Sequence, residues 1–174
     1  MTPLIFLFAT FGILFALNKF LLNGRLSLSF IGRAAMAMML VVTGVAHFTL
    51  TEEMVAMMPD QVPLKREIVY FTGICELLAV VGLIWDRTAK LTSIMLIIFF
   101  AAVLPANIIG SIKRVNIGGM DYGVGYLLFR VPLQIFFIWW VYYLVSVNVN
   151  RLLGLFRQTN SQSYPIAASL PVLE

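Results

Sequence analysis

Glu76 and Arg130 are the residues of this chain best suited to chemistry, because each is a charged side chain within an otherwise apolar stretch. A charge inside a membrane segment is costly, so such a residue is expected to have a partner or a function. We expect the two to form an ion pair, since pairing is the least costly arrangement that this sequence allows. Four further polar residues are expected to supply hydrogen bonds or to line the opening of a binding site: Asn107, Gln134, His47 and Tyr70.

The positions of these residues predict that they lie in the same half of the membrane. Consecutive spans run in opposite directions, so the end of one span and the start of the next meet at one face. His47 ends a predicted span, Glu76 lies ~15 Å below the start of the next one, and Asn107 is near the end of the span after that. Arg130 and Gln134 lie near the start of the last span, and their spacing of four residues places them on one side of a helix.

The composition assigns the chain to a membrane. Of its 174 residues, 61% are hydrophobic and 11% are charged, which is too apolar for a soluble domain of this length. A single cysteine, Cys75, excludes an internal disulfide, and a single histidine excludes haem ligation by two histidines. We therefore expect no metal site and no intrinsic cofactor. The net charge of +4 lies mainly in loops beside the spans and gives no sign of nucleic-acid binding.

Five apolar stretches are long enough to cross the lipid bilayer as helices. We predict them at 3–22, 29–48, 66–84, 91–113 and 126–147, which makes the fold an all-α membrane bundle. The first is predicted to be a retained anchor, with a cleaved signal peptide as the alternative. The second is rich in small residues, which allow close approach of helices, so we expect it inside the bundle. A kink is expected at Pro105.

The segments between the spans carry signals of their own. Thr49 and Glu52 fit a capping box that would start a short interfacial helix at 49–58. Residues 85–90 predict a polar turn that begins with an interfacial tryptophan. Residues 148–174 predict an interfacial segment followed by a flexible tail with too few apolar residues for a core.

The charges of the loops predict the orientation in the membrane. With the amino terminus outside, seven Lys and Arg residues lie on the inner side and four on the outer side, together with most of the acids. Cations are favoured on the cytoplasmic side. We therefore predict that the amino terminus is outside and the carboxyl terminus inside.

Five motifs make the chain resemble the DoxX-like family of membrane proteins. In chain order they are Gly44-x-x-His47-Phe48; Met58-Pro59-x-x-x-Pro63; Val69-Tyr70-x-x-Gly73-x-x-Glu76-Leu77; Leu104-Pro105-Ala106-Asn107-Ile108; and Arg130-x-Pro132-Leu133-Gln134 followed by Trp139-Trp140. The order and spacing of the motifs cover about 29–143. The chain departs from the family at Phe71-Thr72 and at Val131, and neither departure touches the polar positions.

The resemblance implies a four-helix membrane bundle to which the first span is an addition. The predicted organisation is an amino-terminal transmembrane helix at 1–24, a DoxX-like four-helix domain at 25–147, and the carboxyl-terminal segment at 148–174. The resemblance also implies a bacterial inner membrane and a redox setting, because wider-family members are linked to quinone-coupled sulfur oxidation and to membrane complexes that answer oxidative stress. It implies no particular reaction, so catalysis is left open.

Two functions from different classes follow as hypotheses. In the first, the polar cluster binds the head group of a quinone or a similar small lipophile, and a membrane or redox protein partner carries the electrons. In the second, the chain is a non-catalytic scaffold or assembly subunit of a larger complex, and Glu76 and Arg130 only lock helices together. Transport is a third reading, which is disfavoured because no inverted repeat is evident.

Overall fold

The computed structural model describes residues 2–143, which form helices and the turns between them. The carboxyl-terminal segment predicted at 148–174 lies outside the described residues. The helices, in chain order, are α1 (Thr2–Phe20), α2 (Leu28–Thr49), α3 (Thr51–Ala56), α4 (Lys65–Ile84), α5 (Asp86–Ile112), a 3₁₀ segment (Met120–Tyr126) and α6, which is described over 127–143.

Within residues 2–143, five segments are long and apolar enough to cross a membrane. They are α1, α2, α4, α5 and the combined 3₁₀ segment and α6, over Met120–Tyr143. The prediction of an all-α chain with five apolar spans is confirmed for residues 2–143. Together, these helices identify an integral membrane protein.

α2 is the central helix of the bundle. Ten of its 22 residues are buried, whereas α1 has one buried residue, Leu7. α2 packs chiefly against α4 and α1, and the indole N–H of Trp140 in α6 donates to the carbonyl oxygen of Gly32, 3.3 Å away. The prediction that the second span lies inside the bundle is therefore confirmed.

α4, α5 and α6 surround a shared core with α2. α5 packs against α4, and the ring of Phe100 in α5 lies 5.9 Å from that of Phe137 in α6, measured between centroids. α1 lies against the outer side of this group, where Phe8 and Phe11 meet Trp140 edge to face. Close packing supplies the cohesion of such a core, because lipid is as apolar as the core itself.

The predicted capping box at Thr49 is wrong. α2 continues to Thr49, whose hydroxyl donates to the carbonyl oxygen of Val45, 3.4 Å away. α3 then begins after Leu50 without a side-chain cap. Threonine near the end of a helix can bond the carbonyl four residues earlier. This backward bond leaves the hydroxyl pointing away from α3.

The polar turn predicted at 85–90 is mostly helix. Trp85 alone joins α4 to α5, and Asp86 is the first residue of α5. An acid is favoured in the first turn of a helix because the amide groups there carry partial positive charge. α5 then runs through Pro105 without interruption, and the kink there stays a prediction.

Candidate functional site

Two glycines position His47 and Glu76 by letting α2 and α4 approach closely. A β-carbon added to Gly73 in α4 would lie 2.6 Å from the β-carbon of His47. One added to Gly44 in α2 would lie 2.9 Å from Cδ2 of Leu77 and 3.4 Å from the β-carbon of Glu76. Each glycine precedes a polar residue of its own helix by three positions and faces the polar residue of the other helix. This reciprocal contact fixes both polar residues at the interface of α2 and α4.

The carboxyl group of Glu76 is buried inside the bundle, and only 6% of the residue is exposed. Thr43 lies beside it as a polar neighbour, and Arg130 interacts with it electrostatically. Its Oε2 atom is shielded from solvent and has no hydrogen-bond partner among residues 2–143. A buried oxygen without a partner is costly, so a hydrogen-bond donor placed there would be favourable.

Arg130 of α6 reaches Asn107 of α5. Its Nη2 atom donates to Asn107 Oδ1, 3.3 Å away, and Tyr126 is a further polar neighbour of the guanidinium. Asn107 is 1% exposed. Its Nδ2 atom and the Nε atom of Arg130 are both buried without a partner in the part of the chain that the structure describes. Two unused donors therefore lie in this interior region.

The expected ion pair between Glu76 and Arg130 is wrong as a direct contact. The salt bridges among the described residues do not join them, although they interact electrostatically. The reason is their surroundings: Glu76 packs against α2, beside Thr43, whereas Arg130 extends towards Asn107 of α5. Each charge thus has a neutral neighbour, and the two remain apart.

The other three predicted residues have separate positions. His47 is half-buried, and its Nδ1–H donates to the carbonyl oxygen of Thr43, 2.9 Å away. Gln134 is buried and donates its amide hydrogen to the carbonyl oxygen of Phe100, 2.7 Å away. Tyr70 is exposed and stacks on Phe48 with ring centroids 5.7 Å apart.

The polar cluster thus consists of Glu76, Asn107 and Arg130, with His47 on the nearby face of α2. Gln134 and Tyr70 are not part of the cluster, because Gln134 donates to the backbone of Phe100 and Tyr70 packs on Phe48 at the surface. Sequence reasoning missed Thr43 and Tyr126, which are polar neighbours of Glu76 and Arg130. A signal for both was present, because each precedes a predicted site residue of its own helical segment by four positions.

A cavity of about 560 Å³ lies where the 3₁₀ segment meets α6. Its walls are almost entirely apolar, and they do not include the side chains of the polar cluster. The lining residues flank Arg130 in the chain: Val124, Gly125, Leu127, Leu128, Val131 and Pro132. Across residues 2–143, no three His, Cys, Asp or Glu side chains converge as a metal-binding group would.

The fold and the cluster define a class: a helical integral membrane protein that has five spans within residues 2–143 and a buried polar cluster built from three of them. Residues 36–145 match the profile of a family described as Domain of unknown function (DUF8561). The match covers well over half of the chain, so the chain belongs to this family. No curated protein and no solved structure matches this chain.

Proposed function

We propose that this protein is a redox-linked accessory subunit, related to the DoxX-like proteins, that binds the head group of a quinone or a similar small lipophile. The observation that carries the proposal is a set of three buried polar atoms without partners among residues 2–143: Glu76 Oε2, Asn107 Nδ2 and Arg130 Nε. They come from α4, α5 and α6. A ligand between these helices would remove three desolvation costs at once.

The three atoms suit a ligand that carries oxygen atoms. Asn107 Nδ2 and Arg130 Nε would each donate to a carbonyl or hydroxyl oxygen, and Glu76 would accept from a hydroxyl group. A bound quinone would supply two-electron, two-proton redox chemistry. Glu76 could hold one of the protons at its carboxyl oxygen. The electrons would pass to a partner protein in the membrane.

The apolar cavity beside α6 supports a lipophilic ligand. Its lining is almost free of polar surface, as the hydrocarbon part of such a molecule requires. The residues that line the cavity lie on both sides of Arg130 in the sequence. A ligand whose head group binds at the cluster could therefore place its hydrocarbon tail along α6. We also propose that the protein lies in the bacterial inner membrane, with its amino terminus outside.

The test is retention of quinone by the purified full-length protein. The protein is extracted from quinone-containing membranes in mild detergent, and bound quinone is quantified after solvent extraction. We expect Glu76→Gln and Arg130→Gln to retain about tenfold less than the unchanged protein, because a hydrogen bond to a charged group contributes ~1.5–3 kcal/mol.

Matched substitutions at exposed positions provide the controls. Glu67→Gln is the control for Glu76→Gln, and Arg66→Gln is the control for Arg130→Gln. Both residues lie at exposed positions of α4. Both should retain as much quinone as the unchanged protein. Equal retention in all five proteins, including none in any of them, would reject the proposal.

A scaffold is the second candidate, and the bond from Gln134 to Phe100 favours it. This buried bond links α6 to the backbone of α5, so at least one interior polar group acts in helix packing. In a scaffold, Glu76 and Arg130 would likewise serve only to hold helices together. A double variant, Glu76→Gln with Arg130→Gln, that folds and supports the normal physiological phenotype would favour this reading over ligand binding.

A further inference from the structure

A second buried charge lies at the other end of the bundle. Arg33 of α2 is 3% exposed. Its Nη2 atom bonds the carboxylate of Asp86, and its Nε and Nη1 atoms are buried without a partner among the described residues. The ring of Phe30 lies 5.8 Å from the guanidinium carbon. Arg33 therefore uses one of its three nitrogen atoms and leaves two unsatisfied.

The partner of Arg33 is much more accessible than Arg33 itself. The Asp86 side chain is 82% exposed, whereas that of Arg33 is 4% exposed. An ion pair with an exposed partner is weak, because water competes for the carboxylate. Asp86 can therefore exchange with another anion, but it cannot simply leave, because the buried guanidinium would then have no counter-ion.

The surroundings of Arg33 favour an anion. Asp86 is the first residue of α5, a helix of 27 residues whose first turn has no side-chain cap. The first turn of a helix carries partial positive charge and free amide groups, which attract anions. Among the described residues, this end of the bundle carries one acid, Asp86, and five cations: Lys19, Arg25, Arg33, Arg87 and Lys90.

We propose that Arg33 and the amino end of α5 form a binding site for a phosphate oxyanion, with Asp86 as a replaceable cover. A guanidinium binds phosphate through two parallel hydrogen bonds, which here would come from Nη2, now held by Asp86, together with Nε or Nη1, which have no partner among the described residues. The phosphate can come from the head group of an anionic phospholipid or from free phosphate. This site is independent of the quinone proposal, because it lies at the opposite end of α2.

The experiment measures binding of two probes to the full-length protein in neutral detergent. Phosphatidylglycerol is compared with phosphatidylcholine by native mass spectrometry, and inorganic phosphate is added as a competitor. We expect phosphatidylglycerol to bind preferentially and Arg33→Gln to weaken it about tenfold, as loss of a charge-assisted hydrogen bond predicts. Arg87→Gln, which removes a neighbouring exposed cation, should change binding much less.

Asp86→Asn separates a binding site from a simple ion pair. If Asp86 covers the site, its neutralisation should strengthen phosphatidylglycerol binding several-fold. If the ion pair is only structural, Asp86→Asn should leave binding unchanged or weaken it, and that result would overturn the proposal. The amide oxygen of an asparagine can still accept the hydrogen bond from Arg33, so this variant is expected to fold even where Arg33→Gln does not.

The phosphate arm identifies the source of the anion. Displacement of the lipid by millimolar phosphate, in a manner that depends on Arg33, would support the site with free phosphate as a ligand. Lipid binding that resists phosphate but still depends on Arg33 would support the site with a head group as the ligand. Equal loss of binding in Arg33→Gln and Arg87→Gln would indicate only surface attraction and would also overturn the proposal.

Discussion

At the scale of single residues, the contact between Gly73 and His47 leaves no room for a side chain. A β-carbon there would approach the β-carbon of His47 to 2.6 Å, which requires the backbones of α2 and α4 to separate. We expect Gly73→Ala to destabilise the fold by ~1–3 kcal/mol, as overpacking of a core does. The measurement is the thermal unfolding midpoint of the purified protein in detergent.

Gly12→Ala is the matched control for this substitution. Gly12 also lies in a transmembrane helix, and a β-carbon there would meet no atom within 4 Å. Its replacement should leave the unfolding midpoint unchanged or raise it slightly, because alanine favours a helix over glycine. Similar midpoints for the two variants would show that the contact between Gly73 and His47 does not limit how closely α2 and α4 pack.

Asp60, in the loop between α3 and α4, gives a prediction about pH. A hydrogen bond from Lys113, and then the charges of Lys113 and Lys65, hold the pKa of Asp60 below its usual value. A carboxyl group with a lowered pKa in the folded state adds stability above its unfolded pKa, ~4. That stability disappears as the pH falls through the folded pKa.

The variant Asp60→Asn should therefore unfold at a slightly lower temperature than the unchanged protein at pH 7. The difference should shrink as the pH is lowered below about 4. Asp121→Asn, at another exposed aspartate, controls for the general effect of removing a charge. A difference that persists at low pH would show that the carboxylate charge is not its cause.

The sequence predicted that the residues of the cluster lie near one another, but it did not predict their hydrogen bonds. Glu76, Asn107 and Arg130 could be assigned to one half of the bundle because alternating spans fix the depth of each residue. The direct ion pair was wrong, because the direction of a side chain depends on which helices are neighbours, and helix order around a bundle is not encoded in hydropathy. Tyr70 was assigned to the opening by depth alone; it stacks on Phe48 at the surface, and its part in a binding site stays a prediction.

At the scale of helices, Gln134 joins α5 and α6. Its amide donates to the carbonyl oxygen of Phe100 at 2.7 Å, and both residues are buried. We expect Gln134→Leu to destabilise the protein by about 0.5–1.5 kcal/mol, the net contribution typical of one hydrogen bond, with the lower value common between membrane helices. Thermal unfolding in detergent measures this effect.

Ile135→Leu is the control, because Ile135 neighbours Gln134 but is 61% exposed on the outer face of α6. It should unfold as the unchanged protein does. Equal unfolding of Gln134→Leu and the unchanged protein would mean that the bond to Phe100 does not stabilise the packing of α5 against α6.

The positions of the long helices were predictable, whereas some of their ends were not. An apolar stretch of about 20 residues must form a helix in lipid, where every backbone group needs an internal partner. That requirement weakens at the interface, where water can bond the backbone. The errors at Thr49 and at 85–90 occur there, because a local hydroxyl bond or an acid in a first turn decides where the helix ends or begins.

At the scale of the whole molecule, the distribution of cations predicts the orientation in the membrane. Single cysteines introduced at Leu21 and at Asn116, in a Cys75→Ser background, lie at opposite ends of the bundle. With the amino terminus outside, a membrane-impermeant maleimide should label Asn116→Cys in intact cells. Leu21→Cys should be labelled only after the membrane is opened.

Labelling of Leu21→Cys in intact cells, without labelling of Asn116→Cys, would show that the orientation is the opposite of the predicted one. The site of Arg33 would then face outwards and the Glu76 cluster inwards. Cys75 is only partly buried, so the unchanged protein and Cys75→Ser are both included to measure its own reaction.

The paired glycines of α2 and α4 also have a consequence for the history of the family. Gly44 accommodates Leu77, and Gly73 accommodates His47, so a larger side chain at either glycine is tolerable only if its counterpart shrinks. Positions 44 and 77, and positions 73 and 47, should therefore be inherited as coupled pairs. When the sequences of relatives are compared, substitutions within each pair should occur together more often than chance allows.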